Sequence, residues 1–158
     1  MANTHPEHEL LPLSSYEDTF SRICQGSSPQ ISTGILSLDR MLNGGLSNEL
    51  YVLCAETGTG KSALANYIAE DAADQGVDVL YFSLEMGRSE FVARGISRLS
   101  FMANLSDKAC RKVTVRDILY QQYNDESKEF HRLSYSEYEK FAAAYFRRYG
   151  DHLYIIEG

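Results

Sequence analysis

Eight consecutive residues, Ala55, Glu56, Thr57, Gly58, Thr59, Gly60, Lys61 and Ser62, set two glycines, a cation and a hydroxyl in the spacing of a phosphate-cradling loop. Such a loop wraps tightly, so that successive backbone N–H groups converge on an anion. Gly58 and Gly60 permit the wrap, because side chains there would clash or forbid the dihedrals. A helix opening at the loop aims its free N–H groups and its positive dipole end at the same anion. Lys61 adds a cation that reaches the β- and γ-phosphates, and the Ser62 hydroxyl is a ligand for Mg2+. The expected phosphate-binding set is Glu56, Thr57, Gly58, Thr59, Gly60, Lys61, Ser62 and Ala63, and the expected ligand is ATP with Mg2+. Ala55 stands where the pattern has its first glycine and removes none of these groups.

A second candidate is Glu85, in the run Tyr81, Phe82, Ser83, Leu84, Glu85, Met86. In an open parallel sheet, ligands sit at the carboxyl ends of the strands. A carboxylate just past a strand end can orient and polarise an attacking water. Position alone leaves open that catalytic reading and the alternative of an exposed loop glutamate or ion-pair partner. Glu157, after four apolar residues near the chain end, is either a magnesium-side acid or the rim of another core strand. The four histidines have no metal-ligand spacing. Cys24, Cys54 and Cys110 form neither a disulfide framework nor a CxxC pair, and read as reduced cytosolic thiols.

These groups need a scaffold. Residues 50–54 form a short apolar run that predicts a strand buried on both faces. An alanine-rich helix is expected from Lys61 to about Gln75, capped by Gly76. A second buried strand follows at 79–82. Strand, glycine loop, helix and strand in that order make a βαβ unit. Further helices are expected at about 89–101, 115–123 and 135–149. The last opens on a capping box, Ser134 with Glu137, and carries Tyr138, Phe141, Ala142 and Tyr145 on one face. Residues 153–156 read as a third strand.

Upstream, residues 1 to about 13 read as a flexible leader. Ser14 and Glu17 suggest a capping box for a short amphipathic helix, about 14–24, with Tyr16, Phe20 and Ile23 on one face. That helix is expected to end near Gly26, and residues 27–29 read as a linker. Leu38, Met41 and Leu42 fit a helical stripe stopped by Gly44 and Gly45.

The net charge of −7 argues against a generally basic coat for nucleic acid. Locally, Arg88, Arg94, Arg98, Lys108, Arg111, Lys112 and Arg116 outnumber Glu90 and Asp107. That stretch is either a phosphate-facing surface or a solvated helix face. No apolar run is long enough for a bilayer, and the N-terminus lacks the pattern of a secretory signal, so a cytoplasmic protein without membrane contact is expected.

Thr33, Gly34, Ile35, Leu36, Ser37, Leu38 and Asp39, then Asn43, Gly44, Gly45 and Leu46, then the glycine loop, then Phe82, Ser83, Leu84, Glu85 and Met86 followed by Arg94, resemble the RecA-like ATPase domain of DnaB-type replicative helicases. The lead-in and the loop itself also resemble RadA and KaiC relatives. The likeness covers about residues 31–157. It implies an α/β P-loop NTPase fold with a parallel sheet flanked by helices. It also implies hexameric homo-oligomeric rings, ATP between subunits, and translocation on single-stranded DNA. By this likeness Glu85 is the catalytic base, while Lys61 and Ser62 hold phosphate and magnesium. The family's Asp-bearing magnesium strand, DNA loops and arginine finger lie beyond the strand that residues 153–156 resemble. The chain is thus expected to be the N-terminal part (31–158) of a C-terminally incomplete RecA-like domain, preceded by a leader and linker-type helix (1–30). It is expected to bind nucleotide with weak or no unwinding alone. Two other readings are a small P-loop kinase or phosphotransferase, with residues 108–116 as a lid, and a non-catalytic fragment that inserts into a helicase ring.

Overall fold

A computed structural model describes residues 12–25, 30–120, 122–124, 128–131 and 133–158. The leader through residue 11, with His5 and His8, and Gly26 and the 27–29 linker lie outside the described residues. The chain divides into two compact units, Met1–Gln30 and Ile31–Gly158.

In the first unit a 3-10 turn, Leu13–Tyr16, leads into helix α1, Glu17–Cys24. The expected capping box of Ser14 and Glu17 does not form. Ser15 instead donates from its hydroxyl to the Pro12 carbonyl at 2.7 Å and from its N–H at 2.9 Å. That local bond tightens the first turn, so the α-helix begins three residues later than Ser14 predicts. Tyr16 and Phe20 are exposed.

The second unit starts with a closed loop. Ile31 and Leu46 exchange backbone hydrogen bonds at 2.9 and 2.7 Å across an antiparallel bridge. Gly45 sits there at φ +137°, and a Cβ on it would lie 2.8 Å from the Ile31 carbonyl carbon. Inside the loop, helix α2, Leu36–Met41, carries Asp39. Its carboxylate accepts the Thr33 N–H at 2.8 Å, the Thr33 hydroxyl at 2.6 Å and the Ser32 hydroxyl at 2.6 Å. Those bonds, the Ser32 hydroxyl first, hold its pKa below the ordinary carboxylate value. Gly34 and Ser32 are clamped to the next helix by Tyr67, whose hydroxyl donates to Gly34 O at 3.0 Å, and by Gln75, whose amide donates to Ser32 O at 3.0 Å.

Helix α3, Lys61–Asp74, matches its expected span. It stops as read, because Gly76 at φ +80° closes a Schellman turn: Gly76 N–H bonds Ala73 O, and Val77 N–H bonds Ala72 O. Strand β1, Val79–Ser83, follows, then helix α4, Arg88–Ser106, and a short helix α5, Val115–Leu119. Strands β2, Gln122–Asn124, and β3, Glu129–His131, pair antiparallel. Helix α6, Tyr135–Tyr149, leads to strand β4, Leu153–Glu157, which pairs parallel with β1, Val79 against Leu153. The fold is therefore mixed helix and sheet, with a small parallel sheet.

Three expectations change. Residues 50–54 form no strand, and Leu50, Val52 and Leu53 are exposed. A strand needs a neighbour's ladder of hydrogen bonds, and none of the described residues pairs with this run, since β1 pairs with β4. The βαβ unit present is accordingly β1, the α4–α6 crossover and β4. The helix expected over 115–123 ends at Leu119, where strand β2 takes over. Finally, among the described residues the sheet is covered on one face only: Leu80, Phe82, Tyr154 and Ile156 on the opposite face are exposed.

The core lies among α3, α4, α5 and α6 and is built from Ala73, Ala93, Ile96, Val113, Ile118, Phe141, Ala142, Tyr145 and their neighbours. At its centre a carboxylate is buried. Glu70 of α3 accepts hydrogen bonds from Arg98 of α4 and from the Tyr145 hydroxyl of α6, the latter at 3.0 Å. Burial raises the Glu70 pKa, outweighing the Arg98 charge, and likewise raises that of Tyr145.

Candidate functional site

The glycine loop enters α3 from an extended, non-strand segment. Its turn is closed by Thr59, which donates to the Glu56 carbonyl from its hydroxyl at 2.7 Å and from its N–H at 3.4 Å. Gly58 at φ +82° and Gly60 at φ +100° hold left-handed backbone, which an L side chain adopts at a cost. A Cβ at either would meet no protein atom within 4 Å. Of the two reasons expected from sequence, clash or dihedral, the left-handed dihedrals are the one seen here.

Gly60 caps α3 with no side-chain bond, and Leu64 N–H makes the first helical bond to Gly60 O at 2.9 Å. The N–H groups of Lys61, Ser62 and Ala63 thus lie in the first turn, where a helix has no internal acceptors for them. Residues 55–61 are exposed and Ser62 is half-buried. Open donors at a helix N-terminus, a lysine ammonium and a hydroxyl form a donor set that fits a polyphosphate chelating a divalent ion.

Glu85 lies two residues beyond β1, exposed, in the bend between β1 and α4. That bend is fixed at both ends. The Ser83 hydroxyl donates to Met86 O at 2.5 Å and accepts from Met86 N–H at 3.2 Å. Across the sheet, Gly158 N–H bonds Ser83 O at 3.1 Å. At the start of α4, the Arg88 N–H donates to the Glu157 carboxylate and the Arg88 guanidinium donates to Ile155 O at 3.1 Å. Glu157 is thus engaged at a helix N-terminus, where a carboxylate is favoured. The loop and Glu85 fall in the same compact unit, on separate connections: one opens α3, the other joins β1 to α4.

Much of the basic stretch is engaged internally. Arg94 pairs with Glu90 at 2.7 Å, Arg98 with Glu70, and Arg111 with Glu137 at 2.8 Å. Lys112 lies 5.5 Å from the Phe101 ring centre. Within 108–116 the engaged basic groups are Arg111 and Lys112. His152 pairs with Asp78 at 2.8 Å. Among the described residues no cluster of histidine, cysteine and acidic groups could hold a metal ion, the three cysteines are free, and no helix is long and apolar enough to cross a membrane. The sequence pointed neither to the Ser83 clasp nor to the Glu157 cap, because their partners come from a bend and from a strand remote in the chain.

Comparison with known proteins bears on the same region. The family model described as DnaB-like helicase C terminal domain matches residues 30–138. The Replicative DNA helicase DnaB of Leifsonia xyli subsp. xyli (strain CTCB07) is 34% identical over 93 residues, covering 58% of this chain and 20% of that protein. The Replicative DNA helicase DnaC of Bacillus subtilis (strain 168) is 39% identical over 71 residues, covering 44% of this chain and 16% of that protein. The Circadian clock oscillator protein KaiC of Rippkaea orientalis (strain PCC 8801 / RF-1) is 31% identical over 74 residues, covering 46% and 14%. The matches span a fifth or less of these relatives' length. The KaiC match agrees with the RadA- and KaiC-like lead-in and loop.

Proposed function

Because the chain belongs to the DnaB-like helicase C-terminal domain family, we propose that it is the ATP-binding part of a replicative-helicase ATPase. The single observation that carries this reading is the loop at residues 55–62, with two left-handed glycines running into the open N-terminus of α3. In this reading the backbone N–H groups of residues 56–63 cradle the phosphates. Lys61 neutralises the β- and γ-phosphates and stabilises charge that develops as the terminal phosphate leaves. The Ser62 hydroxyl would help hold Mg2+, which would supply further charge neutralisation. Glu85 orients and polarises the attacking water from its place beyond β1. Within a longer chain of this family, the domain forms a hexameric ring that couples hydrolysis to movement on single-stranded DNA.

By itself the chain binds MgATP with little or no turnover in this reading, and Glu157 caps the start of α4, where its carboxylate accepts the Arg88 N–H. The test measures phosphate release with and without single-stranded DNA. The expected result is nucleotide binding with turnover that DNA does not raise. DNA-stimulated unwinding by this chain alone would overturn the division of labour proposed.

A further inference from the structure

We propose that two copies of the chain pair along the outer edge of β1, antiparallel and around a twofold axis, so that their two-stranded sheets join into one of four strands. The edge can be read from the ladder. Val79 N–H bonds His152 O at 2.8 Å, and Gly158 N–H bonds Ser83 O at 3.1 Å. In a parallel pair such bonds come from alternate residues, so 79, 81 and 83 turn their backbone groups towards β4. Leu80 and Phe82 turn theirs away. Among the described residues, the N–H and carbonyl groups of these two have no hydrogen-bond partner.

The contrast between the two edges selects a second copy as the occupant. Exposed strand edges are commonly blunted by a charge, a proline or a cover. The β4 edge has such a guard. The Arg88 guanidinium donates to Ile155 O at 3.1 Å, and the Glu157 carboxylate is turned onto the Arg88 N–H. The β1 edge has none: Val79, Leu80, Tyr81, Phe82 and Ser83 include no charge and no proline. Leu80 and Phe82 are 63% and 68% exposed. With one edge open and the other guarded, head-to-tail growth has no second surface to use. Open edge on open edge is a self-complementary contact that closes at two copies.

The residues along the edge fit their own copies. With Tyr81 opposite its counterpart, Leu80 faces Phe82 of the second copy, and Phe82 faces its Leu80. Each of these pairs exchanges two backbone hydrogen bonds. Leucine against phenylalanine is a favourable cross-strand pair, here on the bare face of the sheet. Asp78 falls opposite Leu84, so no like charges meet along the edge. An edge of this length covers on the order of 500 Å2 per copy, at the low end for specific interfaces, so association in the micromolar range is expected.

Sedimentation equilibrium of the full chain without nucleotide, from micromolar to millimolar concentration, reads the pairing. Expected is a shift with concentration from the mass of one chain to that of two. Hydrogen exchange of the Leu80 and Phe82 amides is expected to slow as the dimer fills. The Lys61→Ala variant is expected to pair as the parent does, so this proposal and the phosphate-loop reading fail separately. Leu80→Pro removes a donor that the β1–β4 ladder does not use, and proline is tolerated where an edge N–H faces solvent. It is expected to weaken association by at least roughly thirty-fold, because two donors are lost per pair. Should that variant not fold, Phe82→Lys sets a charge on the same edge and is expected to be monomeric. Tyr154→Lys alters the bare face on β4, away from the edge, and is expected to stay dimeric. A parent that remains monomeric at millimolar concentration, or that reaches the mass of six chains, would overturn the proposal. So would undiminished association in Leu80→Pro or Phe82→Lys, or a monomeric Tyr154→Lys, which would mean sheets packed face to face. Protection of Leu80 and Phe82 that does not depend on concentration would also overturn it, since residues 50–54 would then hold the edge within one chain.

Discussion

Gly95→Ala is a single methyl group placed where three helices meet. Gly95 lies inside α4, and the added Cβ would overlap the Tyr145 ring carbon Cε2 and sit 2.6 Å from Glu70 Oε1. Neither neighbour can yield cheaply. Tyr145 is 3% exposed and Glu70 1% exposed, and each holds the other through a 3.0 Å hydrogen bond. Overpacking a rigid core costs about 1–3 kcal/mol, and this site belongs at the upper end because both obstructing groups are pinned. Shifting either also weakens a buried hydrogen bond, at about 1 kcal/mol. Alanine recovers about 1 kcal/mol of helix propensity over glycine. The expected net loss is about 2–3 kcal/mol, a fall of roughly 6–12 °C in melting temperature for a unit of this size. Thermal unfolding followed by circular dichroism reads it directly. Combining Gly95→Ala with Tyr145→Leu is expected to cost at least about 1 kcal/mol less than the two separate losses together, because the smaller side chain makes room. A Gly95→Ala protein that melts at or above the parent would refute the reasoning, since helix propensity alone would then decide the site.

Other outcomes follow from the same contacts. Asp39 has a depressed folded-state pKa, so its contribution to stability is fully present above the unfolded value of 3.8 and is lost as pH falls through the lower folded value. Urea unfolding in that acid range should show Asp39→Ala losing less stability with acid than the parent. Glu157→Ala removes the acceptor at the start of α4, and hydrogen exchange of the Arg88 amide should quicken by roughly ten-fold or more. Ser134→Ala breaks the capping box with Glu137, whose carboxylate accepts Ser134 N–H at 2.8 Å. It should lower stability by about 1 kcal/mol in chemical unfolding.

What could be read from sequence follows the range of the interactions involved. Helices α3 and α6 were legible because their signals are local: Gly76 closes one, and Ser134 with Glu137 opens the other. Strands β1 and β4 were legible as apolar runs, but their pairing rests on residues about seventy positions apart. The run at 50–54 carries the same composition and forms no strand, since composition cannot supply a neighbour. The glycine loop showed its residue types plainly, and the left-handed backbone at Gly58 and Gly60 is the dihedral reason read for them from sequence. Glu70 is a charged residue in an alanine-rich helix, and nothing local to it signals burial. Only Arg98 and Tyr145, brought in from two other helices, show why it is buried.

The account turns on a wrapped glycine backbone, Lys61 and Ser62 acting together on a triphosphate. Calorimetric titration of the folded chain with MgATP tests it most directly. One ATP per chain, with affinity falling by at least roughly ten-fold in Lys61→Ala while the melting temperature without nucleotide stays unchanged, is the result predicted. No heat of binding from folded protein, or equal affinity in Lys61→Ala, would contradict it.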